Sequence, residues 1–254
     1  HLGAKAAEKA LKAANMSAED LDGIIFATIT QQGNYPSAAC LTQEIIGARN
    51  AKDVYDVGAA CAGFPLGLRN AHLALQESKG AYLVIAAETL RKVTDDTDAN
   101  APLFGDGAGA AVLRYTEEKK GIVAYSADSE PFDERCMWIF EEQSKGYGER
   151  GLTKILRMPY GKEVMKAATR EMMERVHEIQ EMCGWTKDDI DIVVPHQANI
   201  RITNAIEEKT GLTGKVFSNI HKYGNMSAAS CAVAMAEAKE EDRIKEGSKV
   251  IVAS

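Results

Sequence analysis

An internal repeat is the feature that most constrains how this chain folds. Three pairs of segments match in the same order and with nearly constant offset: 17–25 with 186–194, 58–62 with 224–228, and 79–86 with 246–253. Both members of the first pair follow a long helical pattern and lead into an apolar strand. Self-similarity on this scale indicates two copies of one supersecondary unit. We therefore expect an α/β protein made of two duplicated halves.

Apolar runs and amphipathic stretches alternate along most of the chain. Continuous apolar runs are typical of parallel strands buried on both faces, and apolar residues at helical spacing predict amphipathic helices. The predicted strands are 24–29, 54–57, 81–87, 104–113, 121–125, 192–194, a short strand from Val216, and 249–253. The predicted helices are 1–14, 37–46, a helix from Cys61, 162–182, 200–210, and a last one through Met235 to Lys239.

The repeat divides the chain into three parts. We expect an N-terminal half at 1–127, an insertion or lid region at 128–160 that has no clear period, and a C-terminal half at 161–254. The first copy continues past Ala86 into a glycine-rich turn and another strand. We expect that the second copy lacks those elements and that the chain is a fragment.

The glycine-rich run at 105–109 is weak support for a nucleotide site. It precedes a strand, whereas the glycines of a dinucleotide-binding fingerprint open a helix. Close approach of another backbone explains these glycines more simply.

Cys61 is the first candidate for chemistry. It lies at a strand-to-helix turn, near the positive end of a helix dipole, a place that lowers a thiol pKa and favours the nucleophilic thiolate. The small residues from Gly58 to Gly63 leave room for a substrate and for backbone N–H donors. A lone cysteine is more often buried in a core, so this interpretation depends on what the rest of the chain provides.

His196 and Asn225 are the other two candidates for catalytic residues. His196 follows Pro195 at the end of a predicted strand, and Asn225 follows Gly224 in a small-residue turn. Each alone also fits a structural role, as a core histidine or a turn asparagine. Parallel sheets bind ligands at the carboxyl ends of their strands. If the two halves pack about a pseudo-dyad, both residues converge with Cys61 on one pocket.

The three side chains suit acyl transfer. A thiolate attacks an acyl thioester and holds the acyl group covalently. An imidazole and an amide can both donate hydrogen bonds to a thioester carbonyl as it becomes an enolate or an oxyanion, and the backbone N–H of Cys61 is a further donor. A neutral histidine suits this work, so no carboxylate is needed beside His196.

Charge and cysteine usage exclude other classes. The net charge of −7 gives no basic surface for nucleic acid, and we see no membrane span and no signal peptide. The five cysteines, Cys40, Cys61, Cys136, Cys183 and Cys231, form no C-x-x-C pair, so we expect neither a metal site nor a disulfide framework. A reduced, cytoplasmic setting is the natural interpretation.

At these motifs the chain resembles the β-ketoacyl-acyl carrier protein synthase III family of the thiolase-like superfamily. The resemblance rests on residues 56–64 around Cys61, 195–201 around His196, 223–230 around Asn225, 104–110, and 35–40. It covers nearly the whole chain apart from about 128–156. It implies a thiolase-like fold in which helices are sandwiched between mixed sheets, in α-β-α-β-α layers.

The resemblance also implies the reaction. In this family an acyl-CoA primer acylates the cysteine, here Cys61. Malonyl-acyl carrier protein then loses carbon dioxide, His196 and Asn225 stabilise the enolate, and a Claisen condensation gives the β-ketoacyl carrier protein. The implied protein is a cytoplasmic transferase, an acyltransferase that initiates fatty acid biosynthesis in lipid metabolism. It has no cofactor, since CoA and the carrier's phosphopantetheine are substrates.

Binding residues are carried over by the same resemblance. Met158, Gly161, Ala198 and Asn199 match positions that line the pantetheine tunnel. Arg201 and Lys166 match basic positions that contact phosphate or the carrier protein. Tyr35 matches the residue that enters the partner subunit's acyl pocket, so a homodimer is implied.

Some positions depart from the family pattern. Met226 stands where threonine is common, and Glu208 occupies a position that can be lysine. Two other functions stay open. One is a related condensing enzyme of polyketide or other secondary metabolism, and the other is a non-catalytic carrier-binding homologue, which the presence of Cys61 disfavours.

Overall fold

Two layered sheets and one separate hairpin make up the strands of the protein. The computed structural model describes residues 2–118, 120–130, 137–143 and 152–254. The helices are α1 Leu2–Ala14, α2 Ala38–Ile46, α3 Gly63–Ser78, α4 Gly161–Cys183, α5 Ile200–Thr210, α6 Ile220–Tyr223 and α7 Ala229–Glu240. The strands are β1 Gly23–Ala27, β2 Asp53–Val57, β3 Ala81–Thr89, β4 Asp106–Arg114, β5 Trp138–Gln143, β6 Leu152–Arg157, β7 Ile192–Pro195 and β8 Val250–Ala253.

The first sheet has the strand order β2-β1-β3-β4. Strand β1 is parallel to β2 and β3, whereas β4 runs antiparallel to β3, so the sheet is mixed. Side chains alternate between its two faces, as the pleat requires. Ile24 and Leu83 pack with α1 and α2 residues on one face, and Ile25 and Val84 pack with α3 and α7 residues on the other.

The second sheet pairs β7 and β8 in parallel. Val193 and Ile251 pack on one face against α4 and α5, and Val194 packs on the other against Ala234 and Ala238 of α7. Each fully buried aliphatic side chain of this kind contributes about 1.5–3 kcal/mol. Helices α3 and α7 therefore lie between the two sheets.

The resulting order of layers is α1 and α2, first sheet, α3 and α7, second sheet, α4 and α5. This is the α-β-α-β-α arrangement expected from the repeat and from the resemblance, and the fold class is confirmed. The alternation of apolar runs with amphipathic segments was enough to place most elements, because both sheets are covered by helices on both faces.

Three expectations about local structure are wrong. The segment 121–125 is not a strand. Its half-buried residues alternate with exposed ones, but it pairs with no strand among the described residues, and Tyr125 instead stacks under Arg69 of α3 at 5.0 Å. The predicted strand from Val216 is reduced to a single parallel bridge with Val193. The region 128–160, expected to be an insertion or loop, contains the antiparallel hairpin β5–β6.

The hairpin is attached to the first half. The Leu156 N–H donates to the Val93 carbonyl at 2.6 Å, and Arg157 pairs with Asp95 at 3.1 Å. Leu156 is buried with Leu90 and Phe104. The connection between β3 and β4 thus carries the hairpin over the end of the first sheet.

The glycines of β4 allow the C-terminal half to pack directly on the strand. A Cβ added at Gly105 would overlap the carbonyl oxygen of Tyr223, and one added at Gly107 would overlap the sulfur of Met226. The expectation that close backbone packing explains these glycines is confirmed. The loop that carries Asn225 is held at this contact, with the Gly105 N–H donating to the Asn225 carbonyl at 2.9 Å.

We predict that Gly105→Ala lowers the free energy of unfolding by about 2–4 kcal/mol, because the new methyl group displaces backbone rather than a flexible side chain. Gly58→Ala is the matched control, since no atom lies within 4 Å of a Cβ added there. Urea unfolding of the two variants and the wild type measures the difference. Equal stability of both variants would contradict the packing described here.

Candidate active site

Cys61 lies in a single 3₁₀ turn, Ala60–Ala62, between β2 and α3. The residue before it, Ala60, has φ = 45°, a left-handed conformation that non-glycine residues rarely adopt. Ser227, on the loop after Asn225, has φ = 47°. Backbone strain of this kind is maintained only where the surroundings enforce it, and it is concentrated at functional sites.

The thiol of Cys61 is not in the expected state. Burial raises the pKa of the Cys61 thiol to about 11, the nearby Ser227 hydroxyl lowers it, and the Glu88 charge raises it further. The prediction of a lowered thiol pKa is therefore wrong, because desolvation outweighs the dipole of α3. At neutral pH the resting group is a thiol, so its proton must leave during the reaction.

Hydrogen bonds fix both the backbone and the side chain of Asn225. Its N–H donates to the Leu103 carbonyl at 2.7 Å, and its side-chain Oδ1 accepts the Ser227 N–H at 2.8 Å. Since Oδ1 is occupied, the side chain is oriented with Nδ2, the donor end, free of any partner among the described residues. An amide fixed in this way can donate a hydrogen bond to a ligand.

His196 is buried and neutral. Only 4% of the residue is exposed, and neither Nδ1 nor Nε2 has a hydrogen-bond partner among the described residues. Burial lowers the pKa of His196 to about 4. Among the described residues no carboxylate shifts the pKa of the ring, and burial is the cause of its neutral state. Buried polar atoms are rarely left unpaired, so the ring is suited to meet a polar group of a ligand.

Gln197 holds the His196 loop in place. Its Nε2 donates to the Pro195 and Phe217 carbonyls at 2.7 and 3.2 Å, and its Oε1 accepts from Ser218 and Asn219. The His196 N–H donates to the Ala253 carbonyl at the end of β8. Sequence reasoning quoted Gln197 within the motif but assigned it no role.

The three loops approach one another around α7. Ser227, two residues after Asn225, lies near enough to the Cys61 thiol to lower its pKa. Cys231 in the first turn of α7 also interacts with Cys61, and its Sγ lies 3.8 Å from the Ala253 carbonyl that holds His196. These contacts connect the loops at the carboxyl ends of β2 and β7 through α7. That Cys61, His196 and Asn225 share one pocket stays a prediction.

A buried carboxyl beside Cys61 is the main residue that sequence reasoning missed. Glu88, 1% exposed, ends the apolar run of β3. It accepts hydrogen bonds from the Thr30 hydroxyl at 2.5 Å, the Thr28 hydroxyl at 3.2 Å and the Ile29 N–H at 3.2 Å. Burial raises the pKa of Glu88, and these donors partly offset the shift. Its signal in the sequence was a charged residue at the end of a continuous apolar strand.

The predicted binding residues occupy several elements. Tyr35 is 92% exposed on the loop before α2, Lys166 and Arg201 are exposed on the adjacent helices α4 and α5, and Asn199 caps α5 by accepting the Arg201 N–H. Ala198 packs at the edge of the second core. Met158 packs in the cluster under the hairpin, and a Cβ at Gly161 would lie 3.4 Å from its methyl carbon. Their roles stay predictions.

Other site types find little support in the described part of the chain. No group of three or more His, Cys, Asp or Glu side chains there is arranged to hold a metal ion. None of the helices described is both long and apolar enough to cross a lipid bilayer.

Comparison with known proteins places this site in a family. Residues 55–131 match the model described as 3-oxoacyl-[acyl-carrier-protein] synthase III, and residues 181–254 match that of its C-terminal part. A relative named β-ketoacyl-[acyl-carrier-protein] synthase III from Oceanobacillus iheyensis is 39% identical over 252 residues, 97% of this chain and 76% of the relative. The chain belongs to the β-ketoacyl-acyl carrier protein synthase III family.

Solved structures agree with this assignment. The 3-oxoacyl-[acyl-carrier-protein] synthase III of Aquifex aeolicus superimposes with a TM-score of 0.83 at 38% identity, over 98% of this chain and 78% of that one. The priming β-ketosynthase of the R1128 polyketide pathway has a TM-score of 0.84 at 28% identity, over 98% of this chain and 75% of that one. Like its synthase III relatives, the chain is an acyltransferase of the condensing-enzyme type that serves fatty acid synthesis.

We predict that His196 makes stability depend on pH. An unfolded histidine has a pKa near 6.5, whereas His196 in the folded chain titrates at about 4, so the unfolded chain binds more protons as the pH falls. The wild type should lose about 2 kcal/mol more than His196→Gln between about pH 7 and about pH 5. Urea unfolding at both pH values measures this. An equal loss in both proteins would show that His196 is protonated in the folded chain.

Proposed function

We propose that this synthase III family member joins an acyl-CoA primer to malonyl-acyl carrier protein by decarboxylative Claisen condensation, with Cys61 as the nucleophile. The observation that carries the proposal is the close approach of the Cys61 turn to the loop that holds Asn225, where a Cβ added at Gly63 would lie 3.2 Å from that of Ala228. A thiol and a free amide donor in contact loops suit an acyl-enzyme that must react with an enolate.

His196 and Asn225 would stabilise the enolate. A histidine that is neutral at physiological pH donates a hydrogen bond from one ring nitrogen without placing a positive charge in the site. Asn225 offers Nδ2 because its Oδ1 is already occupied by Ser227 N–H. Removal of one such donor in a dry site lowers rates by roughly 10²–10³. The two groups would serve the condensation step more than the acylation of Cys61.

Substrate contacts follow the predicted assignments. Met158, Gly161, Ala198 and Asn199 would line the pantetheine tunnel, with Met158 and Gly161 already in contact at the start of α4. Arg201 and Lys166 are exposed on α5 and α4, which pack together, so their charges would form one basic surface for phosphate and for the carrier protein. Acidic carriers bind such surfaces mainly through electrostatic attraction.

A homodimer would complete the acyl pocket. Tyr35 exposes 92% of its surface on the loop of 31–36, so its ring is accessible to a second subunit. We assign it to the acyl pocket of the partner subunit. Neither a resident cofactor nor a metal takes part in this reaction. The free thiols at Cys40, Cys61, Cys183 and Cys231 suit a reduced, cytoplasmic setting.

The polyketide alternative has a specific observation in its favour, the TM-score of 0.84 with the R1128 priming ketosynthase. That enzyme is 28% identical, whereas synthase III relatives reach 39–40%. We therefore propose the fatty-acid reaction in preference to the polyketide reaction.

Native mass spectrometry after incubation with acetyl-CoA and longer acyl-CoAs tests the proposal. We expect a dimer with one acyl group per chain in the wild type and none in Cys61→Ala. The exposed Cys40 supplies the matched control, since Cys40→Ala should acylate normally. Asn225→Ala should still acylate but lose condensation by roughly 10²-fold. A folded dimer that takes up no acyl group from any acyl-CoA would overturn the CoA-primed reaction.

We also predict that Lys166→Glu and Arg201→Glu raise the KM for malonyl-acyl carrier protein by roughly tenfold, because each reverses one charge of the docking surface. Acylation by acyl-CoA measured as an intact-mass adduct should change much less in Lys166→Glu. Lys9→Glu on α1 is the control, an exposed lysine on the opposite outer layer. Unchanged KM values in both variants would exclude this surface as the carrier site.

A further inference from the structure

One hydrogen-bond network connects the loop that carries His196 with the loop that carries Asn225. It begins at Gln197, the residue after His196, whose Oε1 accepts the Asn219 N–H at 3.1 Å. Asn219 is the N-cap of the short helix α6, and Gly224, the residue before Asn225, is its C-cap. The position of Asn219 therefore bears on both loops.

The side chain of Asn219 is buried against α7. Only 1% of the residue is exposed, and its Nδ2 donates a hydrogen bond to Glu237 Oε2 at 2.6 Å. Its Oδ1 has no hydrogen-bond partner among the described residues. If the amide turned round, Oδ1 would face the carboxylate, and two acceptors would repel each other. The contact with Glu237 therefore fixes the orientation of the whole side chain.

Glu237 also binds the far end of α6. Its Oε1 accepts hydrogen bonds from Lys222 Nζ and from the Tyr223 hydroxyl, the latter at 3.5 Å. Tyr223 is the last residue of α6, two positions before Asn225. The two oxygens of one carboxylate thus hold Asn219 at the start of the helix and two residues at its end.

The Glu237 carboxylate suits this role because it is ionised. Its side chain is 14% exposed. Burial raises the pKa of Glu237, but the hydrogen bonds from Lys222 and Asn219 outweigh burial, so the pKa lies below its usual value. Hydrogen bonds to an ionised acceptor are shorter and stronger than those between neutral groups. A neutral amide at this position would hold the same donors more weakly.

The buried contact of Glu237 contributes more than its ion pair. The Lys222 side chain is 40% exposed, and its Nζ also lies 3.5 Å from the Glu241 carboxylate. Ion pairs exposed to water contribute little to stability. The Asn219 amide has no such access to water, so leaving it without an acceptor costs more. The pairing of Asn219 with Glu237 is therefore the main contact of the network.

We propose that the Asn219–Glu237 pair positions His196 relative to Asn225 for the condensation step. The inference rests on the proposed function for the roles of His196 and Asn225 as donors to the enolate. Two donors act on one developing charge only at the correct separation, and a displacement of about 1 Å can lower a rate roughly a hundredfold. Both members of the pair are positioning residues, since they act through the loops that they hold.

The pair can be broken from either side and restored by exchange of its two groups. Asn219→Asp places two carboxylates against each other, and Glu237→Gln removes the charged acceptor. The double variant has the carboxylate on the loop and the amide on α7, so it restores a charge-assisted hydrogen bond at unchanged net charge. Glu241→Gln is the matched control, because it makes the same chemical change one turn further along α7 and contacts Lys222.

Separate assays of the two half-reactions test the catalytic part of the proposal. We expect Asn219→Asp to lower kcat for condensation by roughly 10–100-fold, and the KM for malonyl-acyl carrier protein to change by less than about threefold. Acylation of Cys61 by acyl-CoA, measured as an intact-mass adduct, should also change by less than about threefold, because the cysteine lies on a turn of the other half. The double variant should return to within about fivefold of the wild type. Glu241→Gln should match the wild type throughout.

Amide hydrogen exchange tests the connection between the loops without any substrate. The His196 N–H is bonded to the Ala253 carbonyl at 2.7 Å, and the Asn219 N–H is bonded to Gln197. In Asn219→Asp we expect both amides to exchange at least about tenfold faster, since the network opens at both loops. The double variant should restore the slow exchange. Helix α1, in the opposite outer layer, should exchange alike in every protein.

Several results would overturn the proposal. One is faster exchange at residue 219 with unchanged exchange at His196, and another is an equal fall of acylation and condensation in folded Asn219→Asp. A double variant no more active than either single variant would overturn it as well. Glu237→Gln keeps the shape of its side chain and gives the same tests if Asn219→Asp does not fold. Coupled exchange in a wild type that takes up no acyl group would support the connection between the loops and overturn the CoA-primed reaction.

Discussion

Close packing of small side chains between the two sheets sets the distance at which the catalytic loops meet. A Cβ at Gly63, the first residue of α3, would lie 2.9 Å from the Cβ of Ala27 and 3.2 Å from that of Ala228. These contacts press the Cys61 turn against the first sheet on one side and the start of α7 on the other. Interiors at this density transmit a displacement of one methyl group to their neighbours. The position of the thiol relative to Ser227 therefore depends on glycine and alanine at these sites.

The same packing determines the electrostatics. His196 and Glu88 are buried and Cys61 is partly buried, so each group prefers its neutral form more than it would in solvent. The pKa values of the thiol and the carboxyl rise, and that of the imidazole falls. The thiol and the imidazole are therefore neutral at pH 7. Hydrogen-bond donors with fixed orientation, such as Asn225 Nδ2, are worth more in such a place when negative charge develops on a carbonyl oxygen.

Much of the layer order could be predicted from the sequence, because each sheet is covered on both faces and its strands appear as continuous apolar runs. The prediction of a strand at 121–125 is wrong because strand formation depends on pairing with a neighbouring strand, which local alternation does not specify. Its alternation of exposed and half-buried residues is real, but the segment pairs with no strand among the described residues. The hairpin β5–β6 was missed since its charged and aromatic residues follow no single period. Its attachment at Val93 and Asp95 cannot be inferred from local pattern.

The candidate site, like the fold, could be predicted from the sequence only in part. Cys61, His196 and Asn225 could be proposed from the sequence because each follows a recognisable strand or small-residue turn. The state of the thiol could not, since desolvation and the charge of Glu88 come from residues far away in the chain. Gln197 and Glu88 act through hydrogen bonds whose partners the sequence does not name.

The repeat itself has a consequence at the centre of the molecule. In the matched segments 58–62 and 224–228, Cys61 corresponds to Ser227, and the Ser227 hydroxyl lies near enough to the thiol to lower its pKa. Positions on a two-fold axis meet their own equivalents, so two identical halves would place the same atom on both sides of the axis. Two thiols there would be poised to oxidise to a disulfide, and two hydroxyls would lack a good nucleophile. Divergence of the two copies at one position, sulfur in one and oxygen in the other, gives the chain an asymmetric pair at the point where its architecture is most symmetric.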